Sequence, residues 1–361
     1  MRLLLACDKF KNCLSAREVN AALAEGLSEI ETLCLPVSDG GEGFLDTVNA
    51  TCSLRWQSTP VISADGRSIT ARWGLDAHNN AWVETALICG HATVRERPLR
   101  PLTYTSAGVG MLLAHLARRN VKHIYLGLGS SAIMDGGMGA VEVLQRELQK
   151  YAVSLPEVTC IADVDNPLLG ERGGLRVYGP QKGANLAEIQ HQEEHLSQQF
   201  ERWNTTTFRT LLQQKHGGAA GGLGLGLAAL YKVHWQGGAR WCIAHLDLTN
   251  TLKNCDGMVI GEGCVDASSL EGKITGSLYA LARHLKKPVI WVCGQKSPGV
   301  ELEKVRAQSA YSGASHEQVP DGDTTRAWLK NLDLLDAFEQ LADHGSISKN
   351  VEDEEYEQQS P

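Results

Sequence analysis

Acids, lysines and glycines gather where apolar runs end in this chain. Asp8-Lys9-Phe10-Lys11 follows Leu3–Cys7, and Asp39-Gly40-Gly41-Glu42-Gly43 follows Leu33–Leu35. Gly127–Gly139, which carries Gly129, Ser130, Ser131 and Asp135, follows His123–Leu126. Asp163-Val164-Asp165 closes Val158–Ala162, and Gly261-Glu262-Gly263, with Asp266 and Lys273 beyond, closes Met258–Ile260. Two further loops lack a preceding apolar run: Gly179-Pro180-Gln181-Lys182-Gly183, and the Gly217–Gly226 stretch with Gly218, Gly221 and Gly222. Glycines let several backbone N–H groups approach one anion, carboxylates hold a divalent cation, and lysines offset phosphate charge. Those are the needs of phosphoryl transfer, in which positioning and charge neutralisation supply most of the catalysis.

Each place taken alone reads as well as a solvated loop, a capped turn or a close-packed bend. Five strand ends of the same kind, at 8, 39, 129–139, 163 and 261–266, predict one crevice at the carboxyl edge of a sheet. Other chemistries find no pattern. The Gly127–Gly139 turn lacks the Lys-Ser or Lys-Thr of a P-loop. No nucleophile elbow, no Cys/His metal spacing and no dinucleotide fingerprint occurs. His191 and His195 stand four apart among glutamines and glutamates, the setting of a solvated helix face.

The elements that must position these residues alternate between strand and helix. Leu3–Cys7 reads as a buried strand, and Ser15 with Glu18 forms a capping box for the helix that follows. Residues 54–92 change character and predict a small β-rich part. Helices are expected over 105–119, 140–150, 184–203, 227–231 and 326–341. The helix at 184–203 is polar enough to lie at the surface. At 361 residues the chain has room for two domains. Five of its eight excess negative charges lie in residues 351–361, so the body is near neutral and no nucleic-acid surface is expected. Ten cysteines without a C-x-x-C pair read as reduced thiols. No apolar stretch is long enough for a membrane span or a signal peptide, and a cytoplasmic protein is expected.

In this order, over about residues 1–295, the motifs resemble those of the glycerate kinase family. Asp8-Lys9-Phe10-Lys11 with Leu14-Ser15-Ala16, Asp39–Gly43, the Gly127–Gly139 turn, Asp163–Leu168, Gly179–Ala184, Gly218–Gly222, and Gly261–Gly263 with Asp266 and Gly272-Lys273 carry the likeness. The resemblance implies an α/β protein with a Rossmann-like parallel-sheet domain, a second inserted α/β domain and a cleft between them. On this chain that division falls at 1–53 plus 255–345, and 54–254, leaving 346–361 as a disordered acidic tail. It implies ATP and Mg2+, and D-glycerate or a similar small hydroxy acid phosphorylated at the 2-position. Asp39, Asp135 and Asp163 are the expected metal ligands. Asp8, Lys11, Asp165, Asp266 and Lys273 are the expected catalytic groups, with Asp165 or Asp266 as the base. Lys9, Gly129, Ser130, Ser131, Lys182, Gly218, Gly221, Gly222, Gly261 and Glu262 are expected to bind nucleotide or substrate. Ser130 stands where the family has glycine. Ile133 and Met134 replace a polar pair, and Val109 and Met111 interrupt a threonine-rich stretch. If those side chains faced the ligands, the chain would be an impaired or regulatory relative.

Overall fold

The computed structural model describes residues 1–95, 97–162, 164–203, 208–266, 269, 273–296, 321–335 and 338. Within them run β1 (Arg2–Cys7), β2 (Glu31–Cys34), β3 (Arg55–Ile62), β4 (Ser68–Leu75), β5 (Ala81–Glu84), β6 (His123–Leu128), β7 (Glu157–Ala162), β8 (Val233–Gly237), β9 (Gly257–Val265) and β10 (Val289–Lys296). They form two sheets. One has the order β10-β9-β1-β2 and the other β3-β4-β5-β6-β7-β8.

The first sheet is parallel throughout, with Leu5 opposite Val259 and Leu4 opposite Leu33. Helices cover a parallel sheet on both faces, so its central strands are apolar without alternation. Leu3, Leu4 and Leu5 are accordingly fully buried, and Leu4 and Leu5 belong to separate core clusters on opposite faces. The second sheet is parallel from β5 to β8 and antiparallel from β3 to β5. The β-rich stretch near 54–92 is thus the antiparallel edge of this larger sheet. Its outer strand β3 alternates exposed and buried positions at its carboxyl half, as an edge with one wet face does.

Ser15 caps the helix Ala16–Gly26 through the capping box with Glu18. The helix Leu186–Trp203 differs from its expected surface character: Ile189, Gln192, Glu193, Leu196 and Phe200 form a buried stripe, while His191 and His195 remain exposed. The helix expected at 227–231 instead spans Leu223–Ala228. It starts four residues early, and Gly224 and Gly226 place its backbone against Trp235 and Gly136. The final described helix is Gly322–Lys330, capped by Asp321 on Thr324 N–H. The expected tail at 346–361 lies outside the described residues. None of the described helices is long and apolar enough to cross a membrane.

Candidate active site

The predicted strand ends do not share one sheet. Asp8, Asp39 and Glu262 follow or close strands of the four-stranded sheet, whereas Gly129–Gly139 follows β6 of the six-stranded one. The two sheets turn these ends onto one cleft of about 580 Å3. That size suits a small-molecule site, for which roughly 300–1,000 Å3 is usual.

The loop after β1 is fixed at both ends. Asp8 N–H donates to Gly261 O at 2.8 Å, and Phe10 pairs with Leu14 across a tight turn while its ring is buried. Asp8, Lys9 and Lys11 therefore line the cleft. The Asp8 carboxylate accepts Lys9 N–H at 2.7 Å and lies 3.5 Å from Lys9 Nζ. Burial pushes its pKa up to about 6; Lys9 pulls it down, and neighbouring Asp39 adds to the rise. Asp39, itself buried, comes from the loop after β2.

β9 contributes Glu262, whose carboxylate accepts Ser269 Oγ at 3.0 Å and Thr275 Oγ1 at 2.5 Å. Desolvation raises it to about 7 in spite of those donors and of Lys273. Asp266 and Lys273 face each other at 3.8 Å on the same rim. From the other sheet come Gly129, Ser130, Ser131 and Gly218. Lys182 is buried and donates to Ser131 Oγ at 3.1 Å and to Ile133 O at 2.7 Å. One cleft thus brings together carboxylates, four lysines and two serine hydroxyls. Its contents can position a polyanion and a small hydroxylated acid.

Several expected site residues lie elsewhere. Asp135 is corrected from metal ligand to internal cap. Its Oδ2 accepts Ser106 N–H and Ser106 Oγ at 2.7 Å each and Gly139 N–H at 3.3 Å, and its Oδ1 accepts Gly137 N–H at 3.2 Å. Asp165 does not line the cleft; two-thirds exposed, it pairs with His216 Nδ1 at 3.1 Å and Lys215 Nζ at 3.2 Å. Those partners hold its carboxyl below the usual range. Gly221 and Gly222 serve packing at positive φ, and a Cβ at Gly221 would lie 2.1 Å from Ile133 O. Gly261 likewise packs inside the sheet, against Val292 O and Cys7. Asp163 and Gly272 lie outside the described residues.

The glycine-rich turn is less open than its composition suggests. Ala132 N–H goes to Cys89 O, Gly136 N–H to Gly221 O and Met138 N–H to Asp135 O. Ile133, Met134 and Val109 are buried in the core, and Met111 packs against it. The substitutions that suggested an impaired relative therefore point away from the cleft. Ser130 adopts φ +52, a left-handed conformation in keeping with the glycine it replaces, and its Oγ accepts Glu42 N–H at 3.3 Å.

His91, Tyr178, Gln295 and Thr325 also line the cleft and carry no signal in the sequence. His91 is kept neutral, its pKa lowered to about 4 by burial and by Lys11, Lys182 and Arg97. Among the described residues no group of three or more Asp, Glu, His or Cys is placed to hold a metal. Asp8 and Asp39 nevertheless fit an ion of the Mg2+ type, which takes only one or two protein carboxylates when phosphates and water complete its shell.

Comparison with known proteins gives concordant matches. The sequence model of the glycerate kinase family matches residues 3–156 and 149–331. Glycerate 2-kinase of Escherichia coli (strain K12) is 29% identical over 83% of this chain and 87% of its own. A glycerate kinase of Haemophilus influenzae is 30% identical over 81% of this chain and 86% of its own. A solved structure described as glycerate kinase 2, from Salmonella typhimurium LT2, superposes with a TM-score of 0.67 at 29% identity, covering 85% of this chain and 89% of that one.

Proposed function

The chain belongs to the glycerate kinase family, and from that premise we propose that it transfers the γ-phosphoryl group of ATP to D-glycerate, giving 2-phosphoglycerate and ADP. The observation that carries the reading is the one cleft where the charged strand ends of the four-stranded sheet meet Gly129, Ser130, Ser131 and Lys182 from the other side. The 2-position follows the Escherichia coli relative. We take the two sheets as two domains, 1–53 with 255–345 and the inserted 54–254. Ten cysteines without a C-x-x-C pair fit a reducing cytoplasm.

Asp39 and Asp8 would hold Mg2+, which when bound offsets the charge between the phosphates. Lys9, Lys11 and Lys273 neutralise the transferring group, and Lys182 with Ser131 meets the acceptor's carboxylate. Asp266, the member of the candidate base pair that lines the cleft, takes the acceptor hydroxyl proton. As the new O–P bond forms, the bond from the γ-phosphorus to the β-γ bridging oxygen breaks, and ADP leaves with that electron pair. In a loose transition state these groups act chiefly by placement and charge.

ADP release with ATP, Mg2+ and D-glycerate, against a control without acceptor, tests the reading. Glycerate-dependent release is expected, with phosphorus NMR coupling assigning the phosphate to carbon 2. Folded protein that binds ATP without such release would overturn it.

A further inference from the structure

Asp39 stands where the two sheets are joined. The chain passes from β2 through the Ser38–Gly43 loop and the helix Phe44–Thr51 into β3, and returns from β8 through the helix Gly238–His245 toward β9. Both crossings meet at Asp39, since a Cβ on Gly238 would lie 1.7 Å from Asp39 O. The six-stranded sheet grips the loop after Asp39 at two points. Ser130 Oγ takes Glu42 N–H. Glu84, the last residue of β5, accepts Gly43 N–H at 3.2 Å through Oε1 and Leu45 N–H at 3.1 Å through Oε2. A buried carboxylate at the start of the Phe44–Thr51 helix satisfies two N–H groups that the helix cannot, and meets the positive end of its dipole.

We propose that Glu84, outside the cleft, is the positioning residue that sets Asp39 against the bound phosphates by clamping the Gly40–Gly43 loop to the second sheet. The proposal rests on the kinase reading of the cleft for its catalytic consequence only; the clamp itself does not need it.

Burial raises the Glu84 pKa to about 7, with Asp46 and Glu42 adding to the rise and the two N–H donors opposing it. Ionisation strengthens both hydrogen bonds but is costly inside the protein. Because the native state holds this proton more tightly than the unfolded chain, ionisation lowers stability as pH rises from about 4.5 through 7. Clamping and stability therefore respond to pH in opposite directions. A residue that served folding alone would move activity and stability together.

The test is E84Q, compared with wild type from pH 5 to 9. The expected result is a kcat about tenfold lower at pH 8 with the glycerate KM nearly unchanged, and a melting temperature equal to or above wild type at that pH. Glu262 and Asp8 titrate in the same range, so the pH readout is the difference between the two proteins. The part of the acid limb belonging to Glu84 should vanish in the variant. Wild-type kcat in E84Q, or kcat and melting temperature falling together, would overturn the proposal. Amide NMR separates it from the function itself. In wild type, shifts of Gly43, Leu45 and residues 39–41 should carry an inflection near pH 7 that E84Q removes, leaving at 39–41 only the part that Asp8 contributes. Absence of that inflection at 39–41 overturns the clamp, even in a protein that fails to turn glycerate over.

Discussion

At the scale of single residues, the cleft separates carboxylates that the sequence presents as equals. Asp39 is buried among lysines and a second acid, whereas Asp165 is two-thirds exposed and paired with Lys215 and His216 outside the cleft. Asp39→Asn should lower kcat by roughly 100-fold or more, the scale of losing one charge-positioning group in a preorganised site. Asp165→Asn should keep turnover within about threefold of wild type, since surface ion pairs are worth about 0–1 kcal/mol. Steady-state kinetics on the two variants decides between them; equal losses would return Asp165 to the site. Asp8, Asp39, Lys9 and Lys11 were legible because motif and spacing carry them. His91 was not, because only folding brings it beside Lys11 and Lys182, 80 and 91 positions away.

Between elements, buried carboxylates act as joints. Asp135 serves the first turns of the helices Ala107–Arg118 and Met138–Tyr151 at once, through Ser106, Gly137 and Gly139. Asp135→Ala leaves those buried donors without their acceptor and should cost about 3 kcal/mol of folding stability, the scale of leaving buried N–H and O–H groups unsatisfied. Urea denaturation measures it; a loss under about 1 kcal/mol would contradict the joint. The acid, glycines and serines of the 127–139 turn were all legible, yet their use was not. A glycine-rich turn next to a strand looks the same whether its amides meet a phosphate or each other, and here Gly136 and Ala132 spend theirs internally. The β3–β4 hairpin was legible as β-rich, but its place as the edge of a mixed sheet depends on β5 pairing with β6, about forty residues later.

For the whole molecule, Asp8, Glu84 and Glu262 share one consequence. Their folded pKa values of about 6, 7 and 7 lie above the unfolded values of 3.8, 4.5 and 4.5. The native state thus binds more protons between about pH 4 and 7, the slope of stability with pH is negative there, and stability falls as pH rises through that window. Cations delivered to the cleft should reverse this by favouring the ionised forms of Asp8 and Glu262. ATP with Mg2+ should accordingly raise the melting temperature more at pH 8 than at pH 5.5. Equal shifts at the two pH values would mean that neither acid meets the metal or its nucleotide. The cleft is a property of this scale too, since the four-stranded sheet brings its carboxylates and three of its lysines while Lys182 and the two serine hydroxyls come from the other side.

The chain by itself determined the α/β alternation, the capping box at Ser15 and the family, because apolar runs, caps and ordered motifs are local and need no partner. It also determined which residue types were on hand for phosphoryl transfer. Only the tertiary structure decided which of them meet. It sent Asp135, Gly221 and Gly222 into the joints and left Asp165 outside, and it buried Ile133 and Met134 in the core. The physical reason is that a carboxylate's role is set by what surrounds it. Solvent, backbone N–H groups or another acid across a cleft arrive from distant parts of the chain, and spacing along the sequence does not encode that distance.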